Sequence, residues 1–421
     1  MLRPIGTLHP PLYIPEGTIL VGGAVRDLLL GRRPLDLDLL AKDPERSAQE
    51  AALHLSGQAF PLDEERRLYR VVARGLTLDF APLEDLEKDL LSRDFRLNAL
   101  ALVGNLVLGP LGAAEDLRKR RLEPVREENL YQDPLRSLRG VRLAVTLSLG
   151  LGPNARGMLL KHAQHLQAHP EAHPAPERVQ AELEKILLSS RAAYGFWLLK
   201  RLGLLQVYLP ELAETQGVKQ LGRHFLGVFD HSLSVLFHLL WLYPRAPLAL
   251  RLAALFHDLG KALTQTWDAA QARYRFPGHE REGARLAETL LVRLRFPKKV
   301  VERTKALILA HMHPFPPTPR AKQRFFLKHQ DLLPDLLYLQ AADRLARQKG
   351  EAEAWALQGL IQEFHAKPPP RKPLLSGEEV MALLGLPPGP AVGRALRQLL
   401  LAQAEGRVKD KEEAMDFLRG L

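Results

Sequence analysis

Aspartate alternates with leucine in Leu35-Asp36-Leu37-Asp38-Leu39, and this short run constrains the fold more than any other part of the chain. Residues two apart on a strand project from one face, so the leucines turn to a core and both carboxylates face outward together. Two acids held that close repel each other unless a cation lies between them. Mg²⁺ suits the position, because it takes a couple of carboxylates and completes its shell with substrate phosphates. Asp79, in Leu76-Thr77-Leu78-Asp79-Phe80, is a third candidate on a nearby strand. Upstream, Val21-Gly22-Gly23-Ala24-Val25-Arg26-Asp27 reads as a strand, a glycine turn and a helix. Glycines there let the backbone approach a phosphate, the first helical N–H groups attract an anion, and Arg26 lies one turn along to meet a triphosphate. Singly, an Asp-x-Asp is usually a solvated strand edge and a Gly-Gly a plain turn. Their order and spacing make the functional reading the stronger one.

Around these motifs the first ~110 residues mix β-rich runs with helical spacing. Strands are expected at Ile19–Gly22, Leu35–Leu40, Tyr69–Ala73, Leu76–Phe80 and Leu100–Leu108, and helices at Ala24–Leu30 and Ala48–Leu55. From Glu115 the apolar spacing becomes helical and stays so to the end. The expected fold class is an α/β head, a mixed sheet with helices, followed by an all-α body. Breaks fall at His169–Pro176, before a helix over Glu177–Ser189, and near Gln216–Gly222. Lys367–Pro373, with four prolines in seven residues, reads as a stiff linker.

A chain of 421 residues exceeds one ordinary core. It has no cysteine, which excludes disulfides and thiolate metal sites, so any metal must sit on His, Asp or Glu. Lys and Arg number 59 against 48 Asp and Glu, a net charge of +11. That surplus favours a polyanionic partner, although an arginine-rich soluble surface gives the same number. No run of eighteen apolar residues and no signal-peptide layout occurs, so no membrane span and a cytoplasmic location are expected.

Gly22-Gly23-x-Val25-Arg26-Asp27 followed by Asp36-x-Asp38 resembles the signature of the class II tRNA nucleotidyltransferase and bacterial poly(A) polymerase family, whose head resembles DNA polymerase β. Ser92-Arg93-Asp94-Phe95-Arg96-Leu97-Asn98-Ala99 resembles the family's ribose-reading block, which carries over Arg93, Asp94 and Asn98. Gln132-Asp133-Pro134-Leu135-Arg136-Ser137-Leu138-Arg139 resembles the helix that reads the incoming base, with Asp133, Arg136 and Arg139 as its candidates. Glu177, Arg178, Glu182, Leu183 and Lys185 resemble the neck helix that braces it. An Asp and an Arg at i and i+3 share a helix face. The carboxylate accepts from cytosine N4 or adenine N6, and the guanidinium donates to ring acceptors. A capping Asp133 with surface ion pairs at Arg136 and Arg139 is the other reading of the same residues. Three positions depart from the family. Ser92 replaces an arginine, Gln132 replaces a glutamate, and Gly109-Pro110-Leu111-Gly112 lacks the aspartate that opens a loop flexible in the family. The resemblance implies Mg²⁺ in the head, ATP and/or CTP as substrate, the tRNA 3′ end as acceptor, and in-line attack of a 3′-hydroxyl on the α-phosphate.

Further along come Asp230-His231, His257-Asp258 inside an apolar run, His279, His311 with His313, and Asp343. A buried charged pair such as His257-Asp258 needs compensation, and imidazole with carboxylate suits Mn²⁺, Fe²⁺, Ni²⁺ or Mg²⁺. The order resembles the HD phosphohydrolase superfamily, which implies His231, His257, Asp258 and Asp343 as primary ligands, with His279 and His311 as further candidates. The chain then divides into a nucleotidyltransferase head over 1–114, a helical neck over 115–215, an HD domain over 216–366 and a helical tail over 367–421. Enzymes adding CCA, only A or only CC all fit, as does a poly(A) polymerase. A reading from a different class is an HD phosphohydrolase whose head merely binds nucleotides.

Overall fold

Eight strands form one mixed sheet in the first half of the chain: β1 (Leu2–Thr7), β2 (Ile19–Val21), β3 (Asp36–Ala41), β4 (Gln58–Asp63), β5 (Leu68–Ala73), β6 (Leu76–Pro82), β7 (Ala101–Val103) and β8 (Leu106–Pro110). Their order is β1-β8-β7-β2-β3-β6-β5-β4, and only β3 and β6 run parallel. The computed structural model describes residues 1–220, 226–314, 316, 318–347 and 349–421. The chain divides into two compact units, Met1–Pro210 and Glu211–Leu421.

Helices α1 (Gly23–Leu29), α2 (Pro44–Leu55) and α3 (Leu86–Ser92) accompany the sheet. Leu37, Leu39, Leu78 and Phe80 fill its core with Ala48 and Ala51 of α2. Asp43 caps α2, its carboxylate accepting from the Arg46 N–H. Two strands escape the sequence reading, β1 and β4, and both are sheet edges. Each contains a proline beside a register shift, at Pro4 and at Pro61, and β4 is exposed along nearly its whole length. Edge strands bury too little to alternate and tolerate proline, so no periodic signal marks them. Leu100–Leu108, read as one strand, is the β7–β8 hairpin turning at Gly104 and Asn105.

Gly109 also departs from expectation. It lies inside β8, paired with Arg3, rather than opening a flexible loop. A Cβ there would come within 2.5 Å of Ile5 Cδ1 and 2.7 Å of Leu100 Cδ2, so the missing side chain serves packing.

The rest of this unit is mostly helical: α4 (Ala113–Arg118), α5 (Glu128–Gln132), α6 (Arg136–Thr146), α7 (Pro153–Ala168), α8 (Pro176–Leu188), α9 (Ala192–Arg201) and α10 (Leu204–Tyr208), but a short parallel pair, Arg121–Leu122 with Gly150–Leu151, departs from the all-helical expectation after Glu115. Buried Glu123 caps α7 by accepting from the N–H groups of Asn154 and Ala155. In the second unit, helices at Val228–Leu242, Leu248–Phe256, His279–Arg293, Lys298–Ala310 and Asp335–Leu345 surround the histidines. A hairpin, Thr266–Asp268 with Arg273–Arg275, interrupts the all-helical expectation for this region. The expected break at Gln216–Gly222 runs into residues outside those described. Lys367–Pro373 is irregular as expected. Beyond it Gly377–Leu384, Pro390–Ala404 and Lys411–Arg419 close their own small core around Val380, Leu399 and Leu418.

Candidate active site and metal cluster

In β3, Asp36 and Asp38 are exposed while Leu37 and Leu39 are buried, which is the alternation the sequence predicts. The parallel register sets Asp38 directly beside Asp79 of β6. Asp79 is also clamped by Arg70 of β5, whose Nε and Nη2 each donate at 2.7 Å. Although Asp38 keeps an exposed edge, desolvation by the groups packed around its carboxyl pushes that carboxyl above its ordinary value. Arg93 opposes that shift, and the Asp79, Asp36 and Asp89 charges reinforce it. A carboxylate raised by desolvation, with neighbouring carboxylates adding to the shift, is a site that a divalent cation would relieve, so the residues present fit such an ion.

Gly22, at φ +80°, turns the chain from β2 into α1. A Cβ on it would sit 2.4 Å from Arg93 Nη1 and 3.4 Å from Asp38 Oδ2. The glycine therefore makes room for the guanidinium beside the acid. A cleft of about 410 Å³ opens here, with Gly23, Arg26, Asp38, Arg93, Asp94 and Asn98 on one side and Arg136, Arg139, Arg142 and Glu182 on the other. Arg26 is buried, its Nη1 donating to Asn98 Oδ1 and its Nε to Asp27 Oδ1 at 2.9 Å. Buried Asp94 accepts from Asn98 Nδ2 at 3.0 Å and from Arg139 Nη1 at 3.3 Å. Five guanidiniums around one hollow make a strong field for a polyphosphate. Asp38 also lines a second hollow of about 350 Å³, with Asp79, Asp89, Leu62, Leu68 and Tyr69.

The structure corrects the expectation for Asp133. It stands before α6 in an extended conformation, its Oδ1 accepting from the Leu135 N–H, so it shares no helix face with Arg136. Its Oδ2 accepts from Arg178 of α8 at 2.7 Å. Burial opposes its charge, but the Leu135 N–H and Arg178 outweigh it and hold the carboxyl below its ordinary value. Arg139 links Asp133 (3.9 Å) to Asp94 in the cleft. Arg136 Nη1 donates to the carbonyls of Ser92 and Asn129, and its Nε is buried with no partner. Asp27, Asp36 and Asp133 lie outside the cleft lining. Arg142 went unnoticed in the sequence, though Arg136, Arg139 and Arg142 recur every third residue along one helix face. Its partner is Glu182 of α8, 2.5 Å away.

In the second unit His231, His257, Asp258, His279, His311 and Asp343 converge, all of them buried. Nδ1–H of His257, His279 and His311 donates to the carbonyls of Ala254, Phe276 and Ile308, which leaves each Nε2 as the lone-pair nitrogen. The Nε2 atoms of His257 and His279 are buried without a hydrogen-bond partner. His231, His257 and Asp258 offer one set of ligand atoms within 4.8 Å of one another, and Asp258, His279 and His311 offer a second. Orphaned imidazole nitrogens facing a shared carboxylate fit a divalent metal. Gly260 brings these groups together, since a Cβ there would lie 2.1 Å from the His279 carbonyl oxygen. Lys261, three residues past Asp258 and missed in the sequence, donates to Asp258 Oδ2 at 2.7 Å. Burial opposes the Asp258 charge, but His257, Lys261 and His231 hold its carboxyl well below the ordinary range. Asp343 pairs with His231 at 3.0 Å and with Arg344 and Arg347.

A mixed sheet presenting paired acids beside an arginine-lined cleft defines a nucleotidyltransferase head, here in a chain that also carries an HD histidine cluster. Family models agree: residues 18–84 match the poly A polymerase head domain, 165–215 the probable RNA and SrmB-binding site of polymerase A, and 228–348 the HD domain. The CC-adding tRNA nucleotidyltransferase of Thermus thermophilus is 60% identical over 409 residues, covering 97% of this chain and 94% of the relative. The A-adding tRNA nucleotidyltransferase of Deinococcus radiodurans is 44% identical over 421 residues, covering 98% and 97%. The crystal structure of the Bacillus stearothermophilus CCA-adding enzyme in complex with CTP shares the fold, with a TM-score of 0.67 at 24% identity over 96% of this chain and 92% of that one. The chain belongs to the tRNA nucleotidyltransferase family. No helix among the described residues is long and apolar enough to cross a membrane.

Proposed function

We propose that this enzyme adds cytidine to the 3′ end of tRNA from CTP, as a CC-adding nucleotidyltransferase. The observation that carries the reading is the raised, clustered carboxylate of Asp38 at the mouth of the arginine cleft, in a chain 60% identical to a CC-adding relative. Arg26 and Arg93 hold the triphosphate beside the Gly22-Gly23 turn, where the missing side chains leave room for it. Asp94 and Asn98, already joined by a hydrogen bond, meet the ribose. Arg136 offers its unclaimed Nε to the ring acceptors of cytosine, and Asp133 accepts the exocyclic amine once Arg178 yields it. Divalent cations, Mg²⁺ in our reading, held by Asp36 and Asp38 with Asp79 beside them would activate the 3′-hydroxyl and steady the departing pyrophosphate. The protein contributes position and fixed charge rather than a covalent intermediate.

Functionally we divide the chain into a catalytic head (1–114), a neck (115–215), an HD domain (216–366) and a tail (367–421), in a protein that works in the cytoplasm. The orphaned Nε2 atoms favour a resident metal in the HD cluster, with Mg²⁺, Mn²⁺, Ni²⁺ or Fe²⁺ as its candidates, and phosphoester hydrolysis is the chemistry such a metal supplies. Incubation with tRNAs truncated at each of the three terminal positions tests the assignment. Two cytidines and no adenosine are expected. Adenosine added to a CC-ended tRNA would transfer the protein to the A-adding class, and long A tails on an unstructured oligonucleotide would make it a poly(A) polymerase.

A further inference from the structure

The sheet of the head has two faces of different kinds. Val71, Leu78, Phe80, Leu37 and Leu39 pack from one face into the core with α2. On the other face Leu40 and Ala81 pack with Leu86 and Leu90 of α3. Toward β5 and β4 this second face is open to water. The register runs straight across it: Asp38 pairs with Asp79, Asp79 with Arg70, and Arg70 with Phe60. One row along, Val72 stands between Thr77 and Gln58. Directly opposed residues point to the same side of a sheet, so Phe60 and Val72 share the face of the paired acids. Phe60, Leu62 and Val72 are 42%, 46% and 45% exposed. A sheet face left to water normally carries polar side chains, and large apolar ones gathered on it mark a contact surface.

The hollow of about 350 Å³ joins this face to the reacting centre, since its lining runs from Asp38, Asp79 and Asp89 to Leu62 and Leu68. It shares only Asp38 and Arg93 with the arginine cleft. The cleft is lined by five guanidiniums, whereas the hollow has Arg93 alone against three carboxylates. A triphosphate is therefore drawn to the cleft and repelled by the hollow. In-line transfer sets the attacking hydroxyl and the departing pyrophosphate on opposite sides of the α-phosphate. With Asp38 on the boundary, pyrophosphate on the cleft side leaves the hollow as the side from which a hydroxyl arrives.

We propose that the bare β4–β5 face seats the 3′-terminal nucleotides of the acceptor RNA, with Leu62 and Leu68 against the last nucleoside beside Asp38 and Phe60 stacking on the base before it. This inference rests on the nucleotidyl transfer proposed above, and it names the surface that delivers the hydroxyl. The row from Asp38 to Phe60 crosses three strand spacings, about 14 Å, which reaches past the terminal nucleotide. Continuity with the acids selects RNA as the occupant. A terminal nucleoside offers flat apolar surface to Phe60 and the leucines and a hydroxyl to the metal-binding acids, while an apolar protein segment would cover the face and leave the acids unused. Contact of this kind accepts any base, because each has a stacking face.

The test uses tRNA lacking its terminal CCA, with a photoreactive thiouridine as its last nucleotide. Irradiation with wild type should cross-link that base to the β4–β5 hairpin, mapped by mass spectrometry of the peptides. The double variant Phe60→Ala/Leu62→Ala should lose most of the cross-link and raise KM for the acceptor at least about fivefold, the smallest effect of removing one stacked base. Its CTP affinity by equilibrium titration and its Tm should match wild type, because both side chains are exposed and line no part of the arginine cleft. Leu53→Ala, at an exposed leucine of α2 outside both hollows, should match wild type throughout. A terminal base cross-linked elsewhere, or a double variant with the wild-type KM for the acceptor, would overturn the proposal. So would a wild type that is dimeric by light scattering beside a monomeric double variant with intact acceptor affinity, which would give the face to a second copy. Cross-linking needs no transfer, so a protein that cross-links its acceptor at the hairpin but incorporates no nucleotide would defeat the proposed activity and support this seat.

Discussion

At Asp38 the stability of the fold and the chemistry of the site pull in opposite directions, because the carboxylate is most useful where its charge is least welcome. Its folded pKa is raised by desolvation of the carboxyl and by Asp79, Asp36 and Asp89 against the pull of Arg93. A raised carboxyl means the folded chain holds the proton more tightly than the unfolded chain does, so its stabilising share is complete at low pH. That share is lost as pH climbs past the ordinary carboxylate value through the raised one. Above the raised value the ionised acid therefore destabilises the metal-free protein. Asp38→Asn should raise the Tm of chelator-treated enzyme, and adding Mg²⁺ should stabilise wild type but not the variant, both read by thermal melting. Gly22 is the other residue on which the site turns. Gly22→Ala combines a left-handed φ with a clash against Arg93, costing about 1–2 kcal/mol of stability. Displacement of Arg93 should lower kcat/KM for CTP at least tenfold in steady-state assays.

Among the elements, α6 joins the cleft to the helices behind it. Arg136, Arg139 and Arg142 line the hollow from one face, while buried Ser137 on another face meets His162 of α7, Oγ to Nδ1 at 2.5 Å. Burial, with a smaller push from His165, lowers His162 to about 4. A lowered histidine stabilises the fold fully above its unfolded value and loses that contribution as pH falls from about 6.5 to 4, by up to about 1.4 kcal/mol per pH unit. His162→Gln should therefore flatten the fall of Tm across that window in pH-dependent calorimetry, and an unchanged profile would remove His162 from the account. Elements such as β3, β6 and α2 were legible because burying one face forces a period on the sequence. The edge strands β1 and β4 were not, since nothing forces a period on residues facing water. Asp133 stayed between two readings for a related reason: the spacing of Asp133 and Arg136 cannot tell a residue inside a helix from one that stands just before it.

For the whole molecule, the chain keeps two clusters of acids and cations in separate compact units, each suited to divalent ions but by different ligands. Oxygen-only ligands in the head suit Mg²⁺, whereas the imidazoles of the HD cluster suit a transition metal as well. His257→Ala should lower the bound metal measured by elemental analysis by at least about half, while cytidine incorporation stays within about twofold of wild type. The net charge of +11 pointed to a polyanion without locating its path, because charge counts carry no geometry. The paired aspartates and the glycine turn did point to the arginine-lined cleft, which Asp38 and Gly23 line, since only a few backbone arrangements put two acids on one strand face beside a phosphate-sized turn. The central claim is that the Asp36–Asp38 pair performs the transfer. Its most direct test is single-turnover incorporation of labelled CTP into tRNA lacking its terminal CC, comparing wild type with Asp36→Asn and Asp38→Asn at saturating Mg²⁺. Both variants should bind CTP within about threefold of wild type, through the cleft arginines that neither substitution alters, and incorporate less than about a thousandth as much. Incorporation surviving in either variant would contradict the account.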